Sequence, residues 1–177
     1  MKASGKAVIG IDVGGSGKGF HAVVLRNGQF APQHFTAATA VERWCMEQAA
    51  QVIAIDAPCA WATSGGSRIA ERSLAVGGQT IQCFKTPARS SAQGRAFYGW
   101  VFNGEKLYRR LLLHYQLFDG TRLRGNIVLE TFPHAVCRLH HGVETREAKS
   151  YLVSMMVKTL EWNSPSQVPR TKTLEGK

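Results

Sequence analysis

A chain of 177 residues is long enough for one domain with a proper core, and short for two that each bury apolar surface on their own. Apolar residues make up 44% of it and charged residues 19%, which excludes the low-hydrophobicity, high-charge composition of disordered chains. The 22 Lys and Arg against 12 Asp and Glu give a net charge of +10, a field that attracts polyanions. Nucleic acid is therefore an expected partner, beside the plainer reading that the charge serves solubility.

No apolar run approaches the roughly 20 residues that a bilayer span needs, so no membrane partner is expected. Met1 to Lys6 lead directly into a strand-like run without the apolar centre of a signal peptide, and the expected location is the cytoplasm. Cys45, Cys59, Cys83 and Cys137 are widely spaced, with no C-x-x-C pair and no histidine at zinc spacing. They are expected to be ordinary buried thiols.

In chain order, Ala7 to Val13 is a β-branched apolar run broken by Gly14-Gly15 and predicts a buried strand. Phe20 to Leu25 predicts a second strand, Asn27-Gly28 a hairpin turn, and Gln29 to Phe35 the returning strand of an antiparallel meander. Thr39-Ala40-Val41-Glu42 matches a capping box and predicts a helix over about Ala40 to Ala50. Val52 to Ile55, apolar on both faces, predicts a central parallel strand that ends at Asp56-Ala57-Pro58. Residues 64–104 read as an irregular basic insertion with a short helix at Ser67 to Leu74. Tyr108, Leu111, Leu112 and Tyr115 predict an amphipathic helix over Glu105 to Phe118, and Asn126 to Glu130 another buried strand. Pro133 should open the next helix, Ala148 to Trp162 a further one, and residues 163–177 form a disordered tail. The order β-β-β-α-β-α-β-α predicts an α/β fold, a mixed sheet with flanking helices.

Three apolar strands end in a carboxylate: Asp12, Asp56 and Glu130. Side chains at the carboxyl ends of neighbouring strands point into a common crevice, where three such acids repel unless a cation neutralises them. Mg²⁺ or Mn²⁺ suits oxygen ligands and bridges carboxylates to phosphate, so the expected chemistry is metal-dependent phosphodiester hydrolysis. The alternative is that each acid merely caps a turn at its strand end, as Asp often does. Gly14-Gly15-Ser16-Gly17-Lys18-Gly19 is not a P-loop, because Gly19 stands where Ser or Thr should follow Lys18. It reads as a hairpin turn, or as a turn that lets substrate approach Asp12 with Lys18 near a phosphate. Arg68, Arg72, Lys85, Arg89, Arg95, Arg109 and Arg110 are interleaved with Phe84, Phe97, Tyr98 and Trp100, a composition shared by single-strand binding surfaces and by solvated basic loops over core aromatics. His134, just after Glu130, is a candidate for proton transfer or phosphate contact.

The segments Ile9-Gly10-Ile11-Asp12, Ile55-Asp56-Ala57-Pro58 and Glu130-Thr131-Phe132-Pro133, with Arg68-x-x-Glu71-Arg72 and Phe84-Lys85-Thr86-Pro87, resemble the prokaryotic family called domain of unknown function 429. The resemblance runs from about Val8 to Trp162. It implies a ribonuclease-H-like fold over residues 1–162 and acidic metal ligands at Asp12, Asp56 and Glu130. Such proteins usually add a further carboxylate from a carboxyl-terminal helix, and here no Asp follows Asp119, leaving Glu144, Glu147 and Glu161 as substitutes. Two other functions fit parts of the pattern. Asp12-Val13-Gly14-Gly15-Ser16 and Asp56-Ala57-Pro58 also resemble the phosphate loops of actin-like ATP-binding phosphotransferases, although the chain is long enough for only one of their two domains. A non-catalytic nucleic-acid-binding protein with an incomplete acidic site is the other.

Overall fold

The computed structural model describes residues 6–76, 79–120 and 125–136. The first strand, β1 (Ala7–Val13), pairs antiparallel with β2 (Phe20–Arg26), which pairs antiparallel with β3 (Gln29–Phe35). Asn27 and Gly28 both take positive φ, 51° and 75°, as the tight hairpin turn between twisted strands demands. Every residue of β3 before Phe35 is exposed, and Pro32 in its middle forgoes a ladder hydrogen bond, both marks of an edge strand.

Helix α1 (Ala38–Glu47) carries the chain across one face to β4 (Ala50–Asp56), which lies parallel to β1. The helix starts two residues before the expected position, with Ala37 as its N-cap and no side-chain cap. Thr39 therefore sits inside the helix, and no capping box forms. Glu42 instead turns to the next helical layer, where Arg110 and His114 take its two oxygens.

The segment expected to be irregular holds short, defined pieces: α2 (Ile69–Arg72), a two-stranded ladder of β5 (Ala75–Val76) with β6 (Gln79–Thr80), α3 (Arg89–Ala92) and a 3-10 turn at Ala96–Tyr98. Helix α4 (Gly99–Leu111) starts six residues before the expected helix and ends seven before it. Tyr108, Leu111 and Tyr115 are buried as their spacing predicted, while Leu112 is 44% exposed. The chain then turns into β7 (Gln116–Leu117), which pairs parallel with β8 (Ile127–Glu130). Residues 133–136 are helical, opening at Pro133 as expected. The expected helix over Ala148 to Trp162, the tail, Cys137, Glu144, Glu147 and Glu161 lie outside the described residues.

The six strands order as β3-β2-β1-β4-β8-β7, an antiparallel meander followed by parallel strands, consistent with a ribonuclease-H-like fold. Strand periodicity assigns the faces. Ala7, Ile9, Ile11 and Val13 of β1, with Ile53 and Ile55 of β4, face α1 and α4 and form the main core with Val41, Leu107 and Leu111. Ile9, Ile11, Ile53 and Ile55 are fully buried, each contributing about 1.5–3 kcal/mol of transfer free energy. Gly104 lets α4 close on the end of β4, since a Cβ there would come 2.8 Å from the Ala57 Cβ. Among the described residues, no helix is long and apolar enough to cross a membrane.

Candidate functional site

The carboxyl ends of β1, β4 and β8 border one cleft of about 1200 Å³. Asp12, Asp56 and Glu130 all line it, as do Lys18, Arg68 and His134, whereas Arg72, Lys85 and Arg89 are not among the lining residues. Arg72 instead donates to the Ser67 carbonyl at 2.6 Å, and Arg89 donates to Glu105 at 3.1 Å.

The three acids do not occupy equivalent places. In the parallel ladder Asp12 is the register partner of Asp56, so both side chains leave the same face of strands that lie roughly 4.8 Å apart. Glu130 is in register with Ile55, one residue earlier, and a one-residue offset turns a side chain to the opposite face. Asp12 and Asp56 thus belong to the face of Val8 and Val52, and Glu130 to the face covered by α1 and α4. Accordingly, no group of three or more His, Cys, Asp and Glu among the described residues is placed to hold a metal ion.

Glu130 meets a fork rather than the other acids. Arg68 donates from Nη1 to Oε2 at 2.7 Å and from Nη2 to Oε1 at 2.6 Å, and the Cys59 main-chain N–H donates to Oε2 at 2.9 Å. The same guanidinium donates from Nε to Glu71 Oε1 at 2.7 Å. Glu71 also accepts from the Arg68 and Thr86 main-chain N–H groups at 3.1 and 2.9 Å, so one arginine ties α2 and the 81–88 segment to β8. This arrangement uses the full planar fork and could not be made by lysine. Burial pushes the Glu130 and Glu71 carboxyls up, but these hydrogen bonds and the guanidinium charge outweigh it and hold both below the usual range. Burial would lower the Arg68 guanidinium; its two carboxylate partners reverse that and keep it firmly charged.

Burial pushes the Cys59 thiol up to about 11, and the Glu130 carboxylate beside it adds to the rise, which disfavours the thiolate. Burial takes Cys45 up to about 12. All three described cysteines are free thiols; Cys45 is buried as expected, whereas Cys59 and Cys83 are only partly buried.

Sequence reasoning missed His21. It is the register partner of Asp12 on β2 and lines the cleft, while the ring of His34, its own partner on β3, packs tilted against it with centroids 4.6 Å apart. Asp56, Asp12, His21 and His34 consequently form a row across four adjacent strands. Strand pairing alone makes this row, and a lone histidine in β2 gives no local sign of it. The glycine turn supports the row, because Gly19, with φ of 68°, lies so close to β3 that a Cβ would meet the Phe35 carbonyl at 2.2 Å. The Lys18 carbonyl is 2.9 Å from His34 Nε2.

The cleft has four lining carboxylates, Asp12, Asp56, Glu71 and Glu130, against two fixed cations, Lys18 and Arg68. Among the described residues the cleft thus gathers carboxylates, in a chain whose net charge is +10. The oxygen donors of the Asp12–Asp56 pair suit a divalent ion, since Mg²⁺ is commonly held by one or two carboxylates and keeps waters for the rest of its shell.

No curated protein and no solved structure matches the chain. The family described as protein of unknown function (DUF429) matches residues 10–166, a span that contains the Asp12–Asp56 pair, the Arg68 fork and Glu130, and the chain belongs to that family.

Proposed function

We propose that this protein is a divalent-metal-dependent phosphodiester hydrolase acting on nucleic acid, with Asp12 and Asp56 as the ligands of Mg²⁺ or Mn²⁺. The observation that carries the reading is the in-register pairing of the two aspartates at the edge of one cleft, within a strongly basic chain. Two in-register carboxylates on one face repel, and a divalent cation between them is one means of offsetting that repulsion.

A bound ion there would supply Lewis acidity at a phosphoryl oxygen and a water of lowered pKa. The protein's own residues do the rest. Lys18, exposed on the glycine turn, is positioned to contact a neighbouring phosphate, and His21, beside Asp12, can hold or pass a proton at a phosphate oxygen. Arg68 keeps Glu130 paired and holds the 67–72 segment as one wall, so its part is to shape the cleft. His134, exposed next to Phe132 at the opposite rim, is a second candidate contact to the phosphate chain.

The test is cleavage of single-stranded, duplex, hybrid and branched nucleic acids with Mg²⁺ or Mn²⁺. Wild type should cut at least one of them, and Asp12→Asn should lose about a hundredfold or more, since even residues that only support metal ligands cost 10–100-fold. Equal failure of wild type and variant on every substrate would remove the proposal.

A further inference from the structure

Large aromatic side chains are normally buried, yet Phe84 is 68% exposed and Phe97 57%. They are not scattered. The Phe84 ring meets Phe97 edge-on at 5.5 Å between centroids and Trp100 at 6.5 Å, and Phe97 meets Tyr98 at 5.1 Å. Phe84, Phe97 and Trp100 line the same cleft as Asp12 and Asp56.

This aromatic wall is held to the carboxylate pair through main-chain contacts. Trp100 is in the first turn of α4, which meets the glycine turn: a Cβ on Gly99 would lie 3.3 Å from Ser16 Oγ, and one on Gly15 would be in ordinary contact with the Trp100 main-chain nitrogen at 3.9 Å. Asn103, one turn further on, donates from Nδ2 to the Gly14 carbonyl at 2.9 Å. Gly14 is two residues from Asp12, so this hydrogen bond links α4, and with it Trp100, to the end of β1. At the wall's outer side the Arg95 guanidinium lies over the Tyr98 ring, 5.7 Å from its centroid, placing a cation next to the aromatics.

An occupant of this cleft must therefore offer a flat apolar face to the wall and an anionic group to a cation at the aspartates. A nucleotide offers both. In a duplex the base faces are covered by their neighbours, whereas an unpaired base is free to stack on a side chain. We propose that Phe84, Phe97 and Trp100 form a stacking site for an unpaired nucleobase whose backbone phosphate lies at the Asp12–Asp56 pair, so that the preferred substrate is single-stranded nucleic acid or a single-stranded stretch beside a duplex. The phosphate's place rests on the hydrolase reading above; the stacking site is independent of it.

The experiment is fluorescence-anisotropy binding of a labelled single-stranded oligonucleotide in Ca²⁺, with the same sequence as a duplex, the same strand carrying abasic positions, and ATP as a competitor. Stacking is worth about 1–3 kcal/mol per base, so Phe84→Ala and Phe97→Ala should each weaken strand binding by about tenfold or more, and Phe84→Trp should preserve it. Abasic positions should weaken binding to the wild-type protein by a similar factor, an arm that needs no altered fold. Equal affinity for intact and abasic strands, duplex bound as tightly as single strand, no binding of the strand, or Phe84-dependent binding of ATP alone would each overturn the inference. Phe84-dependent strand binding without any metal-dependent cutting would leave the stacking site standing and remove the hydrolase. Metal-dependent, Asp12-dependent cutting that ignores Phe84 and the abasic positions would do the reverse.

Discussion

Replacing Arg68 by alanine tests how the cleft is held together. The guanidinium is 13% exposed and serves two carboxylates, Glu71 at 6% and Glu130 at 29% side-chain exposure. Truncation leaves both acids partly or fully buried without their cation, and removing one partner of a buried pair costs about 3–5 kcal/mol. Glu71 keeps its two main-chain donors and Glu130 keeps the Cys59 N–H, so the lower end, about 3 kcal/mol, is expected. For a domain of this size that is a fall of about 6–12 °C in Tm. The loss must also depend on pH. Both carboxyls are held below their ordinary 4.5 in the folded protein, so their contribution is fully present above pH 4.5 and disappears as the pH falls through the lowered values. In Arg68→Ala only the main-chain donors still oppose burial, so both carboxyls move up from their wild-type values, and the gap between wild type and variant should be widest near pH 7.5 and narrow towards pH 4. Urea denaturation at the two pH values measures this. A deficit under about 1 kcal/mol at pH 7.5, the range of exposed ion pairs, or an equal deficit at both pH values, would refute the reasoning.

Gly19→Ala should cost about 3 kcal/mol or more by thermal denaturation, because φ of 68° adds a left-handed penalty of about 1–2 kcal/mol to a clash with the Phe35 main chain. Gly17→Ala, with φ of 81° and open space around it, should cost that backbone penalty alone. Glu105→Gln breaks pairs with Arg89 and Arg109, whose side chains are 50% and 72% exposed, and should change stability by less than about 1 kcal/mol. Peptide-level mass spectrometry after iodoacetamide at pH 8 should find Cys59 and Cys45 almost unmodified. Their rates should rise about tenfold per pH unit towards 11 and 12, as the thiolate fraction grows; modification of Cys59 at the rate of an ordinary thiol would contradict the burial account.

The fold was legible where local pattern decides it. The strand at Ala7–Val13, the hairpin at Asn27-Gly28 and the switch from antiparallel to parallel at β4 all follow from β-branched runs, turn chemistry and the two-faced apolarity of Val52 to Ile55. Helix ends were less legible, because tertiary partners moved them. Thr39 and Glu42 have capping-box spacing, but Glu42 pairs with Arg110 and His114 instead of capping a helix start. Likewise the periodicity through Tyr115 outlasts α4, since Gln116 and Leu117 pair with β8 instead.

The site was half legible. Strand-end carboxylates pick out Asp12, Asp56 and Glu130, and all three line one cleft. Which face each leaves depends on inter-strand register, which no single strand's sequence encodes, and the shift of Glu130 by one residue gives it to Arg68. The same reason hid His21, which neighbours Asp12 only across a ladder. The exposed aromatics were visible as a composition. Their convergence on the cleft depends on α4 packing against the glycine turn.

The most direct measurement of the central claim is anomalous diffraction from crystals of the protein grown with Mn²⁺. A peak between the Asp12 and Asp56 carboxylates, absent from Asp12→Asn crystals while the Arg68–Glu130 fork persists in both, is the predicted result. A peak elsewhere, or none at millimolar Mn²⁺, would contradict the account.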